Sequence, residues 1–491
     1  MKKILIFLMM ICFIPLLMGA GSYNYSYWGT VLHSAPGMSF SASINAETLG
    51  TTFSSPEDLV VYEDQIYVVD SKTDALVMID TDFSLIGSFT SFEYNSEYLN
   101  TRSDASTLLG TPLTLDSPMG VDVTDSGIFL CDTGNNRIVK LNHNLEVVGI
   151  YSEMDDATFD EIMFEPKKIT VDPSDRMYVV AKNIYEGIME INSDGSFNRY
   201  TGVNPIELTP LEILQRKLMT EEQIAQLQLY LPTEYTNVQI NDRNFIYATS
   251  KVSENNDKNP IQLINPKGVD VIKRNGYQPP MGDVEYIIGM NNYVVDGPSS
   301  LVDIDYTSDG IYSVLDQKRS RIFTYDSEGY LLYVDGDAGN QTDKFSEGVA
   351  LAYFKDQLLV LDRGTKTIVV YSMTEFGNTV NQAIHYQNLG EYEAAATLWE
   401  SVIEMNANYE IAYDGIGKLL LRQEKYEEAL YYFELSHDQF YYSKAYQQYR
   451  NDILKANFGY IIGGIVVLAG VITVRKVVNL RKKGGTFYYE D

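Results

Sequence analysis

The chain has 491 residues, 45% hydrophobic and 21% charged, which suits more than one folded domain and excludes a disordered chain. Its formal net charge of −30 excludes a nucleic-acid-binding surface, which needs Lys and Arg against phosphates. Of two cysteines, Cys12 falls in an apolar N-terminal stretch and Cys131 stands alone, so no internal disulfide framework holds the fold.

At the start, Lys2 and Lys3 precede an uncharged apolar stretch from Ile4 to Met18 and the small residues Gly19, Ala20, Gly21 and Ser22. This basic, apolar, small-residue order predicts a secretory signal peptide over residues 1–22, with an uncleaved signal anchor as the alternative. Cys12 lacks a lipobox, which argues against a lipid anchor. The uncharged segment Tyr27 to Ile44 is a candidate strand for closing a ring of repeats.

Repeats follow. A Pro or Gly corner leads into an apolar strand, a turn, a second apolar strand ending in Asp, a polar turn and a third strand. The copies are SPEDLVVYEDQIYVVD to Asp70, SPMGVDV with GIFLCD to Asp132, EPKKITVDPSDRMYVVAK, GPSSLVDIDYTSDGIYSVLD to Asp316 and SEGVALAYFKDQLLVLD to Asp362. A degenerate copy lies near Ile246 and Ile264, making six units. Small sheets that cannot bury both faces alone are stable when arranged radially. Ser117–Leu141 resembles an NHL repeat through Asp132, Asn135, Asn136, Arg137 and Ile138, and Arg321-Ile322 repeats the Arg-Ile pairing after Asp316. The resemblance implies an all-β six-bladed propeller, with its domain at 23–375.

Between the third unit and the degenerate fourth, Leu211, Leu214, Leu218, Ile224 and Leu227 fall at helical spacing and predict a helical insertion over 208–232. After Gly377 the period changes again. Ala383 and Gly417, Tyr392 and Tyr426, Ala395 and Ala429, and Trp399 and Phe433 are each 34 residues apart. These pairs resemble tetratricopeptide repeats, which implies stacked helix pairs over 376–457, with small residues admitting close approach and Trp399 and Phe433 filling the space between. A capping helix from Tyr442 to Lys455 is expected to run into the next segment. Residues 458–474 form an uncharged apolar run of transmembrane length, closed by Arg475 and Lys476. The positive-inside rule places the basic tail 475–491 in the cytoplasm and the bulk outside. The outer part, 21–457, then holds 30 basic and 65 acidic residues. Such a surface suits cations or a basic partner.

No spacing marks a catalytic centre. The aspartates at 70, 132, 316 and 362 recur at one repeat position, as turn-capping residues do, whereas a reaction site breaks repeat symmetry. The four histidines, His33, His143, His385 and His437, are too few in the propeller for a His-rich zinc site. Cys131 sits in an apolar strand with no base nearby and reads as core. The Gly-rich acidic stretch from Asp335 to Phe345 is the one candidate cation loop, with a solvated turn as the plainer reading. The expectation is therefore a membrane-anchored, extracytoplasmic binding or scaffold protein without cofactor or metal, an accessory part of a surface or transport complex. Its partners are membrane-associated proteins, with a carbohydrate or peptide as further ligand classes. The alternative is a calcium-dependent lactonase-like hydrolase working in the propeller channel.

Overall fold

The second strand of each well-formed unit is apolar at nearly every position because it lies inside its sheet. Gln65–Asp70, Gly127–Asp132, Tyr312–Asp316 and Gln357–Asp362 are buried almost throughout. A strand covered on both faces loses the alternation of a half-exposed one. The computed structural model describes residues 21–152, 163–202, 234–251, 259–283, 286–288, 293–295 and 297–483. Residues 1–20 of the expected signal peptide, the expected insertion at 208–232 and the last eight residues of the tail lie outside the described residues.

Six antiparallel sheets form a β-propeller. Blade 1 comprises Pro56–Tyr62, Gln65–Asp70, Ala75–Ile79 and Leu85–Phe89. Blade 2 comprises Gly120–Thr124, Gly127–Asp132, Arg137–Leu141 and Val147–Tyr151. Blade 3 comprises Pro166–Val171, Met177–Ala181, Ile188–Ile191 and Phe197–Thr201. Blade 4, the degenerate unit, shows Tyr235–Ile240, Ile246–Ser250 and Ile261–Ile264. Blade 5 runs Leu301–Tyr306, Tyr312–Asp316, Arg321–Tyr325 and Leu331–Asp335. Blade 6 runs Gly348–Phe354, Gln357–Asp362 and Thr367–Met373.

The ring closes through the N-terminal segment. Met38–Asn45 pairs antiparallel with Thr367–Met373, Ser43 opposite Val369, and becomes the outer strand of blade 6. The outer edge of Thr367–Met373 is thereby paired. Tyr23–Tyr25 and Val31–His33 form a hairpin that extends blade 5 to six strands, with Tyr23 opposite Val334. Each adjacent pair of blades shares one apolar cluster. Leu59 and Val68 of blade 1 meet Leu359 and Ile368 of blade 6, and Val69 and Leu76 meet Val121 and Leu130 of blade 2.

The cluster between blades 5 and 6 does not stop at the propeller. It continues from Leu332, Tyr333 and Leu358 into Phe376, Val380, Trp399 and Phe433. These belong to helices α1 (Glu375–Leu389), α2 (Tyr392–Met405), α3 (Glu410–Arg422) and α4 (Tyr426–Leu435). Thr374 caps α1 by accepting from the Gly377 N–H, and its hydroxyl donates to the Pro36 carbonyl, 2.6 Å away. Two glycines of α3 take an aromatic ring from each side, one between the helix pairs and one within the second pair. A Cβ at Gly415 would lie 2.2 Å from the Trp399 indole, and one at Gly417 would lie 2.7 Å from the Phe433 ring. Only glycine lets the aromatic rings approach α3 this closely.

The last helix, α5, spans Gln439–Lys483 without a break. It contains the apolar run and is long and apolar enough to cross a membrane. The stretch before Phe458 rises about 28 Å at 1.5 Å per residue.

Trp399 is fully buried in the core that joins helices to blades. Trp399→Ala is expected to destabilise the detergent-solubilised chain by about 3–5 kcal/mol. Because the core is continuous, helical and sheet signals in a denaturant titration should shift together. An unchanged midpoint would show that Trp399 is misplaced.

Candidate functional site

The first strand of every blade starts at the same face of the ring and runs away from it. Just after the Pro or Gly corner, one residue per blade borders a common cavity of about 150 Å³: Glu57, Met119, Lys167, Thr236, Val302 and Val349. In five blades the first-strand register shifts at this point, so the extra residue leaves the ladder and turns toward the mouth. Lys168, Glu234, Tyr235, Lys251, Gln317 and Arg363 complete the lining.

The charges at the mouth are paired with one another. Lys167 and Lys251 both hold Glu234, at 3.3 and 3.1 Å. The two ammonium groups keep the Glu234 carboxyl below its ordinary range, against the opposing effect of burial. Arg363 bridges Glu57, 2.7 Å away, and Glu347. Glu57 also accepts from the hydroxyls of Ser55 and Ser71 at 2.8 and 2.9 Å.

One step deeper, Lys168 crosses the bore to Asp58 and to the Glu57 carbonyl, while the Asn237 amide donates to Asp303. A smaller cavity of about 70 Å³ lies there, bordered by Asp58, Asn237, Gln239, Asp303, Asp305 and Tyr353. These carboxylates hold backbone N–H groups of neighbouring blades. Asp58 accepts from Val121 at 3.0 Å, Asp122 from Val171 at 2.7 Å, Asp303 from Leu351 at 2.6 Å and Asp305 from Tyr353 at 2.7 Å. Burial pushes Asp122 up to about 7 and Asp305 up to about 6, with those same N–H bonds opposing the shift. Burial raises Asp58 and Asp303 too, and Lys168 opposes it in both. Burial works against the charge on Lys168, but Asp58 and Asp303 outweigh it and the ammonium persists.

The repeated aspartates stand beside this cavity and do not line it. Each closes its second strand, fully buried, and ties the mouth-side turns. Asp70 accepts from Ser54 and Ser55 N–H groups at 2.6 and 3.0 Å and from Thr73 at 3.0 Å. Asp132 accepts from the Asp116 N–H at 2.7 Å and pairs with Arg137 at 2.6 Å. Asp316 accepts from Ser300 and Lys318 N–H groups at 2.9 and 3.0 Å, and Asp362 from Glu347 and Gly364 at 2.7 and 3.1 Å. Arg321 occupies the same register position as Arg137 but does not copy its contact. It reaches the Gly336 carbonyl and Asp337 and lies over the Tyr23 ring, while Arg319 approaches Asp316 at 3.6 Å.

In the candidate cation loop at Asp335–Phe345, Asp335 and Asp337 are engaged by protein donors. Asp335 accepts from the Met38 N–H at 2.8 Å, and Asp337 pairs with Lys344. Among the described residues, no three His, Cys, Asp or Glu gather where they could hold a metal ion. Cys131 is buried, and burial pushes its thiol well up.

The mouth residues Glu57, Met119, Lys167, Thr236, Val302 and Val349 were missed as sequence candidates, because the sequence immediately around them follows no common pattern from blade to blade.

No protein-family model matches this chain, and no curated protein matches it. Among solved structures, it is similar to virginiamycin B lyase from Staphylococcus aureus, at 12% identity and a TM-score of 0.39, over 68% of this chain and 98% of that one. A protein of unknown function from Bacteroides thetaiotaomicron is 11% identical with a TM-score of 0.42, over 70% of this chain and 78% of the other. A surface component of the type-IX secretion system of Porphyromonas gingivalis is 9% identical, with a TM-score of 0.34, over 66% of this chain and 37% of that chain. The likeness is one of propeller architecture alone.

The pH dependence of stability follows from the buried carboxyls. An unfolded Asp releases its proton near pH 4, roughly, whereas folded Asp122 keeps its own to about 7. Between those values the folded state binds more protons, so stability falls as pH rises. Lys168→Met removes the cation from Asp58 and Asp303 and is expected to cost about 3–5 kcal/mol near neutral pH. It should also steepen the loss of melting temperature between pH 5 and 8, roughly. Parallel pH profiles for the parent and variant would contradict this placement of Lys168.

Proposed function

We propose that this chain is an extracytoplasmic, membrane-anchored binding protein whose propeller mouth faces away from the bilayer. The observation that carries the reading is where the helices attach. They grip the turns at the far ends of the blade 5 strands, opposite the mouth. His385 meets Asp309 in the first turn at 2.7 Å, and Tyr330 after the third strand meets Asp438 at 3.1 Å. The Tyr277 hydroxyl donates to the Ser436 carbonyl at 2.6 Å, and that of Tyr409 to the Leu332 carbonyl at 2.9 Å. From this platform α5 continues directly into the apolar run.

Arg475 and Lys476 at the end of that run favour a cytoplasmic tail and an outer propeller. The strongly acidic outer part supports solubility there and disfavours anionic headgroups. The blades resemble NHL repeats and the helix pairs tetratricopeptide repeats, both widely used as interaction modules. Ion pairs closed within the mouth support binding rather than catalysis. In this reading the chain is an accessory component of a surface or transport assembly, with membrane-associated protein partners.

Protease added to intact spheroplasts should remove the propeller and leave a short fragment bearing the tail. A propeller protected until the membrane is permeabilised would overturn the topology.

A further inference from the structure

We propose that the mouth cavity binds a carboxylate carried on a small apolar group. The inference rests on the propeller being a binding module and names the chemistry of its ligand. Four cations, Lys167, Lys168, Lys251 and Arg363, border one cavity in a chain of net charge −30. Two are committed: Lys168 to Asp58 and the Glu57 carbonyl, Arg363 to Glu57 and Glu347. The other two, Lys167 and Lys251, share Glu234. An ammonium group has three donors. Each of these lysines places one on Glu234, and their side chains remain 29% and 60% exposed. Within this trio two ammonium groups face one carboxylate, an excess of one positive charge that matches a monoanion, while Arg363 is answered by its own pair of carboxylates, Glu57 and Glu347.

The rest of the cavity is suited to an apolar body. Met119, Val302, Val349 and Tyr235 form its walls. At about 150 Å³ it is of the size that accommodates a benzene ring. Beneath it the Lys168–Asp58 contact crosses the bore from blade 3 to blade 1, beside the Asn237–Asp303 contact of blades 4 and 5, so a ligand enters and stops. Apolar walls with a few charged groups at one edge are the common make-up of a small-ligand site. In this site the ligand's apolar group lies against Met119, Val302 and Val349, and its carboxylate joins Glu234 between the two lysines. The same chemistry is offered by a free aryl or alkyl acid and by the C-terminal residue of a polypeptide.

The test is isothermal titration of the detergent-solubilised full chain with phenylacetate, phenylacetamide and a short peptide ending in Phe, free or amidated at its C-terminus. The acid should bind at least roughly tenfold more tightly than its amide, the scale of one charge-assisted hydrogen bond. Lys251→Met should weaken binding by a similar factor, and this exposed position leaves the fold intact. Glu234→Gln should tighten binding, because it removes the carboxylate that competes for both lysines. If the lysines serve only to neutralise Glu234, that variant gains nothing. Tighter binding of the free-ended peptide than of phenylacetate would identify a polypeptide terminus as the source, and binding of phenylacetate alone would identify a free acid. No binding by any carboxylate to the parent or to Glu234→Gln, or equal binding of acid and amide, would overturn the proposal. The titration needs neither a bilayer nor a protein partner. A null result beside a protease-accessible propeller would therefore reject the ligand class and leave the membrane topology standing.

Discussion

The innermost strand of each blade turns one edge to the central axis, where backbone groups have no further strand to meet, and the ring depends on side chains from the blade before to hold them. Asp58 serves blade 2, Asp122 serves blade 3, and the Thr170 hydroxyl accepts from the Ile240 N–H of blade 4 at 3.1 Å. The Thr236 hydroxyl donates to the Leu301 carbonyl of blade 5 at 2.7 Å, and Asp303 serves blade 6. Arg363 then links blade 6 to Glu57 of blade 1. A buried backbone group left unpaired costs about 1–3 kcal/mol, so these junctions are a condition for the fold. They also explain why an acidic chain keeps aspartates along its axis, at the cost of raised proton affinity in Asp122 and Asp305.

The same stitching divides structure from function at the mouth. Where a residue performs one job in several blades, as the aspartates at 70, 132, 316 and 362 do in four of the six, it repeats. Where blades converge on a single cavity, the side chains they contribute are mixed: charged Glu57 and Lys167, polar Thr236, and apolar Met119, Val302 and Val349. Glu57, Lys167 and Val349 hold the same place in their blades and meet around one cavity.

Blade number and the ring-closing segment were legible in the sequence because buried second strands such as GIFLCD and QLLVLD have no other stable use. The fourth strands were not. LIGSF at 85–89 is short and only half-buried, and nothing in its composition separates it from a loop. The hairpin at Tyr23–His33 was equally hidden, since its partner strand lies some three hundred residues further on and its pairing is a property of the closed ring. The helix pairs were readable from their 34-residue spacing. Their fusion with blades 5 and 6 was not, because a shared core such as that of Tyr333 with Phe376 leaves no periodic trace. The mouth became visible only once the six units were set around an axis.

That fusion would make the relation between propeller and membrane a mechanical one in the proposed topology. With α1 to α4 bonded to blade 5 and α5 continuous into the apolar run, a membrane at that run would give the mouth a set height and direction. Electron cryo-microscopy of the full chain in a lipid nanodisc measures both. The account expects the propeller to stand clear of the bilayer on an unbroken α5, whose first turns pack against the other helices through Ala445, with its mouth turned outward. A propeller lying on the lipid with its mouth toward the bilayer, or sampling all orientations about a broken α5, would contradict it.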